Sequence, residues 1–168
     1  MPDTLTAIHA DYARAGADIL LANTFGANVK KLAGCPCTVE QVVSASIACA
    51  RSAAAETGAL VALDIGPLGE LLVPAGTLRF EDAYAEFAQV IRAGAAAGAD
   101  LVFLETMTDL YELKAAILAA KENCALPVFT SMSFESRGRT FTGCTVESYA
   151  VTAAGLGADA WASTARWV

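Results

Sequence analysis

The chain has 168 residues, of which 55% are hydrophobic and 17% are charged, and its formal net charge is −7. That length and apolar fraction predict one folded domain with a sizeable core, and they exclude an intrinsically disordered chain. The acidic balance, without a basic stripe, argues against binding to nucleic acid, and no apolar stretch reaches the roughly 20 residues that a membrane-spanning helix needs.

A repeated pattern gives the predicted elements in chain order: a helix ends near a glycine, a short polar turn follows, and an apolar strand begins. Glycine suits the position just past a helix because the backbone there turns left-handed. Asp109 and Thr145 are the predicted N-caps of the last two helices. The predicted elements are a first helix already under way at Met1, strands at 19–21, 59–63, 101–104, 128–130 and after Asp159, and helices at 40–56, 81–97, 110–122 and 146–156.

The predicted strands are continuous apolar runs, which is typical of a parallel sheet covered on both faces. A complete (β/α)8 barrel usually needs more than about 200 residues. The chain is therefore either a five-stranded doubly wound sheet or a partial (β/α)8 TIM barrel of about five parallel strands with intervening helices. Length favours the doubly wound sheet, whereas the residues at the strand ends favour the barrel.

Polar side chains follow the first four predicted strands, at the end where parallel α/β folds bind ligands. Asp64 and Glu105 each come directly after an apolar strand, and a carboxylate there is costly to bury unless a cation meets it. One such residue can be an ordinary cap or loop residue, but the shared rim predicts a ligand site. The candidate substrate-binding residues are Asn23, Thr24, Asp64, Glu105, Ser131 and Ser133.

Four segments resemble successive parts of the homocysteine S-methyltransferase family, and the likeness extends to about residue 160. They are 12–25 (YARAGADILLANTF), 64–71 (DIGPLGEL), 104–110 (LETMTDL) and 131–143 (SMSFESRGRTFTG). DIGP followed by ETMTDL is far more specific than a lone glycine motif. The nearest branch is the homocysteine-binding module of the cobalamin-dependent methionine synthases.

The resemblance implies a TIM barrel that binds homocysteine at its mouth and transfers a methyl group to the thiol, giving methionine. Zinc held by three cysteines activates the sulfur in that family, and methylcobalamin on a partner module is one methyl donor. By the same resemblance, Glu105 and Asp64 would bind the substrate ammonium, and backbone N–H groups near Ser131 and Ser133 would bind its carboxylate. Asn23 and Thr24 would line the mouth.

The family's zinc cysteines lie in a GxNCS-like segment and a Gly-Gly-Cys-Cys segment, and neither stands in this sequence. Cys35 and Cys37, separated by one residue, lack the spacing of a zinc site. We therefore assign no catalytic residue and no metal ligand, and we expect neither zinc nor methylcobalamin to bind the chain tightly. The domain spanning 1–168 is expected to be an inactive barrel fragment in a cytoplasmic protein, since five cysteines without an export signal are typical of a reducing compartment.

Residues 161–168 depart from the family pattern in a way that suggests a shifted reading frame. Trp161 is encoded by TGG, and the codon of Ala162 begins with GC. If the first two bases of the Trp161 codon complete a preceding codon, the following codons can spell G-V-N-C-S-L-G, the family's zinc-ligand segment. We hypothesise that one nucleotide is missing near Ala160, and the DNA sequence of the gene tests this.

Two other functions are open at this point. The chain could be an autonomous module for a small ligand, although residues 23–31 (NTFGANVKK) show neither phosphate-binding glycine motif. It could also be a structural piece that a separate chain completes into a barrel. A partial barrel is expected to expose edge strands and the apolar face that missing helices would cover.

Overall fold

The computed structural model of the protein describes residues 2–135 and 137–165, so residues 166–168 of the frameshift hypothesis lie outside the described residues. Helices and strands alternate throughout, as the sequence predicts. No helix in the described part of the chain is both long and apolar enough to cross a membrane. The elements are α1 (Pro2–Arg14), β1 (Ile19–Leu21), α2 (Val39–Ala54), β2 (Leu60–Ile65), α3 (Phe80–Ala96), β3 (Leu101–Met107), α4 (Leu110–Asn123), β4 (Val128–Phe134), α5 (Val146–Gly155) and β5 (Ala160–Ala165).

The five strands form one parallel sheet in the order β1-β2-β3-β4-β5. Because crossovers between parallel strands are right-handed, a strictly sequential order places every connecting helix on the same face of the sheet. A doubly wound sheet instead reverses its strand order at a switch point. The doubly wound alternative is therefore wrong, and the chain forms consecutive units of a (β/α)8 barrel.

The helix ends show which local signals the sequence carries. The side chains of Asp109 and Thr145 cap α4 and α5, which confirms both predicted caps. Helix α2 begins one residue earlier than predicted because Thr38 and Gln41 form a reciprocal capping box. Helix α3 begins after Arg79, which makes no side-chain cap.

The two faces of the sheet differ in character. Leu63 of β2 packs against Gly94 of α3, where even an added Cβ would lie 2.4 Å from a leucine methyl carbon. Strand residues alternate between faces, so the neighbours of Leu63 point away from the helices. We call this second side the inner face; in β1 to β4 it comprises Ile19, Leu21, Leu60, Ala62, Asp64, Leu101, Phe103, Glu105, Phe129, Ser131 and Ser133.

The inner face is apolar at the amino ends of the strands and polar at their carboxyl ends. Leu60 of β2, a strand paired on both sides, and Leu21 of the edge strand β1 are 47% and 36% exposed. The exposed apolar face is therefore the inside of the barrel. Five helices pack on the outer side, but Trp161 of β5 also lies on that side, in register with Thr130, and is 48% exposed, as expected for an outer surface that lacks part of its helical cover.

Two aspartates fasten the amino ends of neighbouring strands. Asp100, just before β3, accepts a hydrogen bond from Val61 N–H of β2 at 2.7 Å and pairs with Arg51 of α2 at 2.8 Å. Asp159, just before β5, likewise accepts from Val128 N–H of β4 at 2.8 Å and pairs with a lysine of α4 at 2.7 Å. Each aspartate of the repeated Gly-Ala-Asp pattern therefore joins two strands and a helix at the amino ends of the strands.

Replacing Asp100 by alanine is expected to lower the free energy of unfolding by about 1–3 kcal/mol, because Val61 N–H loses its acceptor and Arg51 its partner. D100N should cost less, since an amide oxygen can still accept that bond. D11A is the matched control: Asp11 pairs with Arg14 on the surface, and such pairs contribute roughly 0–1 kcal/mol. Urea denaturation of the three variants measures the difference; equal losses in D100A and D11A would contradict the fastening role.

Candidate ligand site at the carboxyl ends of the strands

The polar end of the inner face brings together residues that lie far apart in sequence. Asp64, Glu105, Ser131 and Ser133 lie within the last residues of their strands, not just after them as predicted. The strands run further than predicted because these side chains point to the inner face and leave the outer, helix-covered row apolar. Their shared rim is the position at which barrel folds bind ligands.

Asp64 is the most unusual group at this rim. It is 6% exposed, and its Oδ1 has no hydrogen-bond partner among the described residues. Burial raises the pKa of Asp64 to about 7, and the charge of the neighbouring Glu105 adds to this. At pH 7 Asp64 is therefore about half protonated.

Thr24 and Asn23 lie beside this pair but play different parts. The Thr24 hydroxyl is buried; it donates to the Asp64 carbonyl oxygen at 2.8 Å and accepts from Asp64 N–H at 3.0 Å. Thr24 therefore fixes the backbone of Asp64 and can act on a ligand only through that residue. Asn23 has an exposed side chain, and its carbonyl oxygen accepts from Ser46 at 3.2 Å.

The two serines of β4 also differ. Ser131 is buried, and its hydroxyl oxygen accepts a hydrogen bond from Thr106 N–H at 2.8 Å. Its own proton has no acceptor in the described part of the chain, so the hydroxyl can still donate to a ligand. Ser133 is partly exposed, and its hydroxyl lies 3.1 Å from that of Thr164 in β5.

The loop after β2 is fixed by side chains from two other segments, α4 and the loop between β1 and α2. Glu112 of α4 accepts from Leu68 N–H at 2.7 Å, and Lys31 donates to the Pro67 carbonyl oxygen at 2.8 Å. The ring of Phe25 fills the space beside Gly66, so closely that a Cβ there would lie 2.4 Å from a ring carbon. Burial raises the pKa of Glu112 to about 7. This loop is therefore a rigid wall of the rim.

Glu112 was not among the residues predicted from the sequence. The segment D-L-Y-E, with Asp109 as N-cap, has the form of a local capping pair. In the structure Glu112 reaches a residue 44 positions away instead. The signal that could have found it is a second carboxylate on the face of α4 that otherwise carries core residues.

This arrangement is suited to a cation with several N–H groups. No basic side chain in the described part of the chain forms an ion pair with Asp64 or Glu105. A primary ammonium offers three donors and a positive charge. It would compensate the cost of burying the Asp64 carboxylate and displace the Asp64 proton.

Residues 1–163 match the family model described as homocysteine S-methyltransferase. The chain belongs to the homocysteine S-methyltransferase family. Methionine synthase from Mycobacterium tuberculosis is 32% identical to it over 173 residues, which cover 94% of this chain and 14% of that protein. Methionine synthase from Mycobacterium leprae is 31% identical over the same coverage. This member of the homocysteine S-methyltransferase family thus spans about 14% of the length of these relatives.

Solved structures confirm the fold. The oxidized and metallated forms of the homocysteine methyltransferase MmuM from Escherichia coli each superpose with a TM-score of 0.86 at 22% sequence identity. Each match covers 96% of this chain and 62% of the other. The carboxyl transferase domain of Rhizobium etli pyruvate carboxylase, with pyruvate, gives a TM-score of 0.60 at 16% identity. The partial barrel of this homocysteine S-methyltransferase family member is therefore shared well beyond the family.

The zinc site that the family resemblance implies does not fit the cysteines of the described residues. Cys35 and Cys37 are exposed in the loop before α2, and Cys144 lies in a different loop, beside a groove of about 630 Å³ between α4 and α5. Within residues 2–135 and 137–165, no group of three or more His, Cys, Asp or Glu side chains could hold a metal ion. No chemical step is therefore assigned to a metal.

Proposed function

We propose that this chain is the amino-acid-binding part of a homocysteine S-methyltransferase, an enzyme that transfers a methyl group to the thiol of homocysteine and forms methionine. Family membership supports the reaction class, and the polar rim supports a site for the amino-acid end of the substrate. The family's sulfur-activating cysteines are not in this sequence, so we expect no turnover by the chain alone. A cytoplasmic location is part of the proposal.

One observation carries the proposal: a buried Asp64 with an unpartnered oxygen stands beside Glu105. Burial beside a second carboxyl group disfavours the ionised form of Asp64 unless a cation is present. The ammonium of homocysteine would pair with both, and Asp64 would then release its proton to water. Homocysteine binding should therefore be coupled to proton release below about pH 7.

The other end of the amino acid is assigned to the serines. Ser131 retains a free hydroxyl proton, and Ser133 lies two residues further along the same face, so both can donate to the substrate carboxylate. The exposed Asn23 side chain lines the mouth of the site. Thr24 contributes indirectly, because its hydroxyl holds the backbone of Asp64. These residues bind and orient the substrate; none is assigned a catalytic step.

Partners follow from the exposed inner face. Leu21 and Leu60 are exposed apolar side chains, and strands that complete the barrel would bury them. We propose such a segment, on the same or a separate chain, as the first partner and a cobalamin-binding module as the second. Zinc and methylcobalamin would supply sulfur activation and the methyl group in the completed enzyme.

Calorimetric titration of the 168-residue chain tests the proposal with three related molecules. Homocysteine should bind, and homoserine should bind nearly as well, because the site recognises the ammonium and carboxylate. The compound 4-mercaptobutyrate, which is homocysteine without its amino group, should bind at least about tenfold more weakly because the carboxylate pair then meets no cation.

Added zinc ions should leave the homocysteine affinity unchanged. Equal affinity for homocysteine and 4-mercaptobutyrate would show that the carboxylate pair does not bind the ammonium. Tight, zinc-dependent binding would show that the chain does hold a sulfur-activating metal and would overturn the assignment of an inactive part.

A further inference from the structure

We infer that the hydrogen bond from Thr106 N–H to Ser131 is a positioning device, which holds a strained turn of β3 so that Glu105 faces Asp64. Thr106 acts through Glu105, and Ser131 does so in addition to its proposed contact with the substrate carboxylate; neither is a catalytic residue. The inference rests on the proposed function for its biological meaning but not for its geometry. Three observations carry it.

The first is the backbone of Thr106. Its φ is +52°, and it is the one non-glycine residue with a positive φ among those the structure describes. Left-handed backbone is disfavoured for any residue with a Cβ, and more so for a β-branched side chain such as threonine. Such a conformation persists only where the surrounding structure imposes it.

The second is a break in the strand register at this point. Leu104 pairs with Thr130 and Met107 pairs with Met132, so β3 uses one residue more than β4 between these pairs. Glu105 and Thr106 therefore stand opposite the single residue Ser131. A bulge of this kind changes the direction of a side chain, and bulges are common next to active sites.

The third is the bond itself. Ser131 is 2% exposed, and its hydroxyl accepts from Thr106 N–H at 2.8 Å, in place of the ladder carbonyl that a regular strand would offer. Without this acceptor the bulge would leave a partly buried N–H group unsatisfied. By accepting this hydrogen bond, the serine hydroxyl stabilises both the bulge and the positive φ. Glu105 directly precedes the strained residue.

The test follows the titration of Asp64 by carbon-13 NMR of side-chain carboxyl groups in the 168-residue chain. In S131A, Thr106 can relax to negative φ and carry Glu105 away from Asp64, so the Asp64 midpoint should fall by about one pH unit from its value of about 7. In the double variant S131A/T106G the midpoint should recover, because glycine adopts a positive φ without strain. A midpoint that is unchanged in a folded S131A variant would overturn the inference.

Thermal unfolding provides a second arm in case S131A does not fold. T106G removes the strain, whereas T108G places glycine at a threonine whose φ is not positive, two residues further on. T106G should therefore melt several degrees higher than T108G. Equal melting temperatures would show that Thr106 is not strained and would overturn the inference.

Homocysteine titration of the wild-type chain separates this inference from the proposed function. If the wild type does not bind homocysteine but S131A still lowers the Asp64 midpoint, the proposed function fails and the positioning device stands. If the wild type binds and S131A lowers the Asp64 midpoint in the absence of ligand, both are supported, because that midpoint does not depend on the proposed contact between Ser131 and the substrate carboxylate.

Discussion

Replacing Glu105 by glutamine is expected to weaken homocysteine binding by about 30- to 1000-fold, which corresponds to roughly 2–4 kcal/mol. Asp64 is about half protonated at pH 7, so binding of the ammonium depends strongly on the neighbouring Glu105 carboxylate. Its removal leaves the ligand ammonium facing a neutral amide in a partly buried site. Calorimetry at pH 7 measures the loss.

D64N should weaken binding less than E105Q at pH 7, since Asp64 is already about half protonated there. It should also abolish proton release, which appears as a binding enthalpy that no longer depends on the ionisation enthalpy of the buffer. E56Q is the matched control, because Glu56 is an exposed carboxylate that pairs only with Arg14 on the surface. A loss in E56Q equal to that in E105Q would mean that net charge, not this site, governs affinity.

The sequence predicts the order and type of the elements because those follow from local patterns. Apolar runs, glycines after helices, and the caps at Asp109 and Thr145 each depend on a few neighbouring residues. The Thr38–Gln41 capping box was equally readable and was missed. The sequence predicts strand ends that are too early because Glu105 interrupts an apolar run, whereas the inner face admits a carboxylate within the strand.

The sequence predicts which candidate residues share one rim but not what each of them contacts. Strand ends bring Asp64 and Glu105 to one rim, so their proximity follows from topology. That Ser131 accepts from Thr106, and that Thr24 holds the Asp64 backbone, depends on pairing across distant strands. A positive φ at Thr106 could not be expected, because a β-branched residue is among the least suited to it.

The free energy of unfolding is expected to fall as pH rises from about 4 to 8. Burial raises the pKa values of Asp64 and Glu112 from 3.8 and 4.5 to about 7 in the folded chain. The contribution of each carboxyl group to the free energy of unfolding is therefore largest below its unfolded pKa. It is lost as pH rises through the folded pKa of about 7, and the loss is on the order of 3–4 kcal/mol for each group. His9, whose pKa burial lowers, acts weakly in the opposite sense.

Glu112 faces charges of both signs, from Asp109, Lys31 and Lys30, and its bond to Leu68 N–H favours the ionised form. Desolvation nevertheless dominates, so the direction of its effect is the same as that of Asp64. E112Q keeps an oxygen to accept from Leu68 N–H and removes the titration. Urea denaturation from pH 4 to 8 should therefore show a flatter profile for E112Q than for the wild type.

The double variant D64N/E112Q should be nearly independent of pH in this range and more stable than the wild type at pH 8. D64N also replaces the group that we propose to meet the ammonium, so the gain in stability should come with a loss of homocysteine affinity. E112Q alone should gain stability and keep its affinity, because Glu112 supports the rim without facing the ligand. That contrast assigns the unfavourable burial of Asp64 to ligand binding, since natural sites commonly retain strain or charge that stability alone would remove. A wild-type profile that rises between pH 5 and 8, or full homocysteine affinity in D64N/E112Q, would contradict this assignment.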